Sequence, residues 1–172
     1  MRGVPRLVAW CLLVVWFAWI HALQERLSVS EAFALATPDL GMVLFVGLLG
    51  VVKKSDVFML AVIAAIGRKS FSIDPSLAIL CGFLSLAWLA SVLRHMIELS
   101  SPLWRAALTV FGACGLTLWL EVVRYARIGA TLPQLDALLP LAFTSGLAAL
   151  ALGSFAIRLP GLTPLRQEDD PW

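Results

Sequence analysis

The sequence is short of charge. Of its 172 residues only 14% are Asp, Glu, Lys or Arg, while 60% are hydrophobic and mean hydropathy is +0.91. An ordinary soluble domain carries nearly twice that share of charge, so these values describe an integral membrane protein. Thirteen basic residues against eleven acidic ones leave a net charge of +2, scattered between apolar runs rather than gathered on one face. That distribution excludes nucleic acid as a partner. Cysteine is equally scarce. Cys11, Cys81 and Cys114 stand singly inside apolar runs, without C-x-x-C spacing and without clustered His, which supports neither a disulfide framework nor a zinc site. The two histidines, His21 and His95, fall near opposite membrane faces and are expected to be interfacial polar residues. No nucleophile with a base, no paired carboxylates and no metal-ligand spacing is visible, so the chain is expected to be non-enzymatic and to need no cofactor or metal.

What the sequence has instead is apolar runs bounded by charge or proline. Six of them predict an all-α integral membrane protein, six transmembrane helices in one bundle, with spans over 5–23, 37–54, 56–70, 75–94, 102–123 and 136–157. The first has the basic start of a signal peptide, but its length and the runs that follow mark it as a retained span. In "TPDLGMVLFVGLLGVVKKSD" only thirteen residues, Leu40 to Val52, lack charge or a helix-start signal. A span needs about 20. Thr37 suits an N-cap, Pro38 a first helical turn and Asp39 the positive helix end, while Lys53 and Lys54 are able to snorkel. Those extensions give 18 residues, roughly 27 Å at about 1.5 Å per residue. The third run is shorter still, with Arg68 and Lys69 following eleven uncharged residues.

An even number of spans places both termini on one side. With the N-terminus inside, eight basic residues lie on the cytoplasmic face and five outside, which favours N-in and C-in. The tail 158–172, "RLPGLTPLRQEDDPW", has three prolines and an acidic end and is expected to be a flexible cytoplasmic segment.

Charge recurs near the predicted outer ends: Asp39 before the second span, Arg68 and Lys69 after the third, Asp74 before the fourth, Glu121 and Arg124 ending the fifth. Three readings stand. In one they form a bundle-stabilising cluster, Arg68 meeting Asp74 or Glu121 and Asp39 meeting Lys69; in the second they are solvated interfacial charges and helix caps; in the third they form a ligand or ion site. Small residues recur at four-residue spacing, Thr109, Ala113 and Thr117 on the fifth span and Ser145, Ala149 and Gly153 on the sixth. Such stripes let helices approach closely, within this bundle or against a partner's helix. The tryptophans are too dispersed to form a cage and are expected to be anchors or packing.

The stretch from residue 37 to about 117 resembles MreD, the small polytopic rod shape-determining membrane protein family of bacteria. The likeness is carried by Pro38-Asp39 opening an apolar helix, the basic turn Lys53-Lys54, a short small-residue span, and "IDPSLAILCGFLSLAWLASVLRHMIELSSPLWRAALTVFGA" with Asp74-Pro75 at its head and Arg94-His95 at its turn. Where that family commonly has a Gly followed four residues later by an Asp, this chain has Ala64 and Arg68. The resemblance implies a non-enzymatic scaffold or regulator of the cell-elongation complex in the bacterial inner membrane. It implies an MreC-type single-span partner and, through it, MreB-type filaments and peptidoglycan synthases. It also implies a six-helix fold like that of substrate-binding subunits of energy-coupling-factor vitamin transporters, and such a subunit is the alternative function. Against the alternative, the Ala-x-x-x-Ala pattern that those subunits carry low on the first helix is matched only by Ala18 and Ala22, near the other end.

Overall fold

The computed structural model describes residues 5–30, 37–93, 101–129 and 135–165, and the chain in them is all-helical. Six α-helices follow one another: α1 (Arg6–Ser28), α2 (Leu40–Leu49), α3 (Val57–Lys69), α4 (Ser76–Leu93), α5 (Pro102–Ile128) and α6 (Leu138–Ile157), with short 3-10 turns at Lys54–Asp56, Leu135–Ala137 and Thr163–Leu165. Four of these, α1, α4, α5 and α6, are long and apolar enough to cross a membrane. Their outward faces carry large bare hydrophobics, including Leu7, Val15, Trp88, Leu103, Phe111 and Phe143. Apolar exposure on that scale belongs in lipid rather than water.

The central element is α2. All ten of its residues are buried, and a helix that is hydrophobic on every side is one surrounded by protein or lipid. Around it, α1 packs on α3, α3 on α4, α4 on α5 and α5 on α6, while α2 itself contacts α1, α3, α5 and α6. It reaches α4 through an edge-to-face pair, Phe45 against Phe83, with ring centroids 5.2 Å apart. The ring stays open between α1 and α6. There a slot of about 190 Å³ runs down to α2, lined by apolar side chains that include Trp19 and Ile20 of α1, Val43 and Leu44 of α2, and Leu152 and Phe155 of α6.

Cross-contacts fix the direction of each helix. Arg6 at the start of α1 pairs with Asp56 just before α3, and Lys53 N–H donates to the Leu165 carbonyl at 3.3 Å, so these residues share one end, called here the Arg6 end. Asp39, Arg68 and Ser145 meet toward the other, the Asp39 end.

Two expectations from sequence change at this point. In the second segment the helix occupies ten of the eighteen expected residues, about 15 Å. Its N-cap is Asp39 rather than Thr37, which leaves Pro38 outside the helix. At the far end Val51 and Val52 N–H both turn to the Leu48 carbonyl and Lys53 is drawn off to Leu165, so the spiral stops before the lysines. The tail is the second correction. Residues 158–165 are not a free end, because Leu159, Leu162 and Leu165 are buried in the main core and Gly161, at φ 83, turns the chain between them. Residues 166–172 lie outside the described part of the chain, as does the expected Arg94-His95 turn.

Close helix contact in α3 depends on Gly67, where an added Cβ would stand 2.7 Å from Phe17 Cβ of α1; at Gly115 on α5 nothing lies within 4 Å. Gly67→Ala is therefore expected to destabilise the protein by about 1–3 kcal/mol through overpacking. Gly115→Ala should be neutral or stabilising by up to about 1 kcal/mol from helix propensity. Thermal midpoints in neutral detergent distinguish them, and equal shifts would refute the assigned α1–α3 contact.

Candidate functional site

The charges singled out from the sequence assemble at the Asp39 end in two groups. The first is built on the N-terminus of α2. A buried helix start leaves backbone N–H groups without partners, and Asp39 supplies one: its Oδ1 accepts from Met42 N–H at 2.9 Å. Its own N–H donates to Ser145 Oγ of α6 at 2.9 Å, and Gly41 N–H reaches Gln24 Oε1 of α1 at 3.4 Å. The carboxylate is 2% exposed and is neutralised by Arg68 from the last turn of α3, whose Nη1 donates to Oδ2 at 2.6 Å. Three helices are thereby tied to the start of a fourth.

His21 completes this group and was not distinguished from the sequence. Rather than an interfacial residue it is buried, 4% exposed, and its ring lies against the Cα of Gly41, where an added Cβ would come within 2.3 Å of His21 Cε1. Phe17 and Phe71 flank it with ring centroids 6.4 and 6.3 Å away. Among the described residues its Nε2 has no hydrogen-bond partner. The signal available in sequence was its four-residue spacing from Phe17, Leu13 and Ala9, which puts His21 on an apolar helix face.

The second group holds the start of α4 to the end of α5. Asp74, ahead of Pro75, receives a two-pronged contact from Arg124, Nε to Oδ1 at 2.7 Å and Nη2 to Oδ2 at 3.1 Å, and Ser72 Oγ donates to Oδ2 at 2.7 Å. Arg124 Nη1 also reaches Glu121 Oε1 at 2.8 Å. Lys69 Nζ donates to the backbone carbonyls of Ser72 and Asp74 at 3.2 and 2.8 Å. The partners differ from those expected: Arg68 takes Asp39, not Asp74 or Glu121, and Lys69 takes carbonyls, not Asp39. Burial pushes the Asp74 carboxyl up, but hydrogen bonds from Arg124 and Ser72 and the Arg124 and Arg68 charges outweigh it and hold the group below the usual carboxylate range.

The small-residue stripes face inward. Thr109, Ala113, Ser145, Ala149 and Gly153 are buried and Thr117 is half-buried. Ala149 packs with Val43 of α2 and Ala106 of α5, and Thr109 Oγ1 returns its hydrogen bond to the Arg105 carbonyl within α5. Among the described residues no group of three or more His, Cys, Asp and Glu is placed to hold a metal. What the Asp39 end does chemically is fix helix ends by charge.

No protein-family model matches the chain, and no curated protein or solved structure matches it either. The residues must therefore be judged by their own energetics. Arg68→Gln leaves Asp39 buried and uncompensated, a loss of about 3–5 kcal/mol, whereas Glu121→Gln, at a partly exposed pair, should change stability by under about 1 kcal/mol. The Asp39→Asn/Arg68→Gln double variant should lose less than the sum of the two single variants. Additive losses in detergent thermal melts would refute the coupling. Because the Asp74 carboxyl is held low in the folded state, its contribution is present above the unfolded value near about 3.9 and disappears as pH falls through the folded one. Thermal midpoints should hold from neutral pH to about 5 and drop below about 4, and Asp74→Asn should make that acid drop smaller; an unchanged drop would count against the Arg124 clasp.

Proposed function

We propose that this chain is a non-enzymatic membrane scaffold of the MreD type, a multi-pass protein of the bacterial inner membrane that binds an MreC-type single-span partner within the cell-elongation complex. In this reading all six helices pass between the two membrane faces, with both termini cytoplasmic, in the arrangement that resembles the substrate-binding subunits of energy-coupling-factor transporters. The short helices α2 and α3 fit such a topology, since a helix enclosed by others need not meet the full hydrocarbon thickness and its irregular ends are tolerated inside protein. The ends also differ in charge. Among the described residues the Arg6 end holds Arg6, Lys53, Lys54, Arg105 and Arg158 against Asp56 alone, and the Asp39 end balances five cations with five carboxylates. The excess at the Arg6 end supports placing it in the cytoplasm.

The observation that carries the scaffold reading is the double clasp at the Asp39 end, where Asp39 with Arg68 and Asp74 with Arg124 and Glu121 satisfy one another and bind helices together. Charges so arranged hold a rigid outline for a partner to recognise. One observation favours the alternative, a vitamin-type substrate-binding subunit: an open pocket of about 570 Å³ at the Asp39 end, lined by Ala22, Glu25, Arg26, Val29, Ser30 and Phe71.

A tagged chain solubilised in mild detergent should co-purify a single-span protein with a coiled-coil periplasmic region, and its depletion should turn rod-shaped cells round. Capture of no such protein together with normal rods after clean deletion would sink the reading. Saturable binding of a water-soluble vitamin, lost in Arg26→Gln, would move the assignment to the alternative.

A further inference from the structure

Arg105 sits in the first turn of α5, a 27-residue helix that begins Ser101-Pro102. It is 4% exposed, and among the described residues neither its Nε nor its Nη1 has a hydrogen-bond partner. Among the described residues only Nη2 reaches a side chain, Ser154 Oγ of α6, at 3.5 Å, the outer limit of a hydrogen bond. A buried guanidinium without an anion is strongly disfavoured. The last turn of α6 beside it offers only the partial negative charge of a helix end.

A second feature adjoins it. The Ser101 side chain makes no cap hydrogen bond, Pro102 has no N–H, and the exposed first turn at Leu103 and Trp104 presents the positive end of the helix. Long side chains on helices lean back over the preceding turn, which carries the Arg105 guanidinium toward that N-terminus. Ser154, the hydroxyl over the guanidinium, is itself exposed, so the charge lies one side chain beneath the surface. Among the described residues the surroundings carry the cation excess of the Arg6 end. A bilayer supplies one abundant anion at the level of a helix end, the phosphate of its headgroups.

We propose that Arg105 and the N-terminus of α5 form a binding site for a phosphate group, with Ser154 as its movable lid and the guanidinium fork as its anchor. The fork gives two parallel N–H donors to phosphate oxygens, which an ammonium does not match. The phosphate comes from a membrane lipid or from a soluble phosphate species. The site is independent of the clasp at the opposite end of the bundle.

The test uses the full chain in neutral detergent, with the thermal midpoint read from tryptophan fluorescence. Phosphatidic acid is titrated against diacylglycerol of the same acyl chains, and inorganic phosphate against chloride at equal ionic strength. Phosphatidic acid should raise the midpoint where diacylglycerol does not. A rise with the lipid alone assigns a headgroup, and a rise with inorganic phosphate as well, or alone, assigns a site open to soluble phosphate. Arg105→Met should abolish the rise, and Arg105→Lys should weaken half-saturation about tenfold or more. Arg158→Gln, an exposed cation at the same end, should leave it within about threefold. The absence of any phosphate-dependent rise in the wild-type chain, or an undiminished response in Arg105→Lys, overturns the proposal even if the Met variant fails to fold.

Discussion

The Asp39 carboxylate meets three requirements at once. It caps the start of α2, it occupies a position closed to solvent, and it accepts the charge of Arg68. Each requirement creates the next. A helix that begins inside a bundle needs an acceptor for its first N–H groups. A carboxylate does this better than a neutral cap because the helix dipole favours it, but buried charge then demands a cation. Arg68 answers from the end of α3, and its placement sets the height at which α3 ends relative to α2. Other helices meet that pair: α6 offers Ser145 to the Asp39 amide and α1 offers Gln24 to the Gly41 amide in the first turn.

The opposite end is made differently. Apolar closure dominates there, with Leu159, Leu162 and Leu165 folded under the helices and, among the described residues, a single carboxylate, Asp56, engaged by Arg6. The two ends therefore respond to different perturbations. Salt and acid act on the clasped end, while loss of apolar volume acts on the leucine-closed end.

Four of the helices were legible in the sequence because their apolar runs are long enough to declare themselves, and α4, α5 and α6 lie where their runs predicted. The extent of α2 was not, for a physical reason. A helix buried on all sides has no polar face to mark its register, and its last turn is ended by the carbonyl of Leu165, more than a hundred residues away in the chain. The residues of the charged cluster were legible, since Asp39, Arg68, Asp74, Glu121 and Arg124 all stand beside span ends. Their pairing depends on relative helix heights, which no local pattern encodes. The folded tail had a signal that its prolines obscured: leucines at 159, 162 and 165, three apart, form one apolar edge. Arg105 is one of the eight basic residues counted on the cytoplasmic face, and its burial follows from packing between α5 and α6 that spacing does not reveal.

The hydrogen bonds at the two ends of α2 have a bearing on how the protein is made. Asp39 N–H waits for Ser145, 106 residues later, and the chain just beyond α2 waits for Leu165. A ribosome delivers α2 second, yet its surroundings are finished by the last helix and the segment after it. Until then its ends carry backbone groups that lipid cannot satisfy, and contacts so distant in sequence form slowly. The nascent bundle thus holds its central helix unfinished until residues 145 to 165 have been made, and the segment 158–165 is the latch whose arrival completes it.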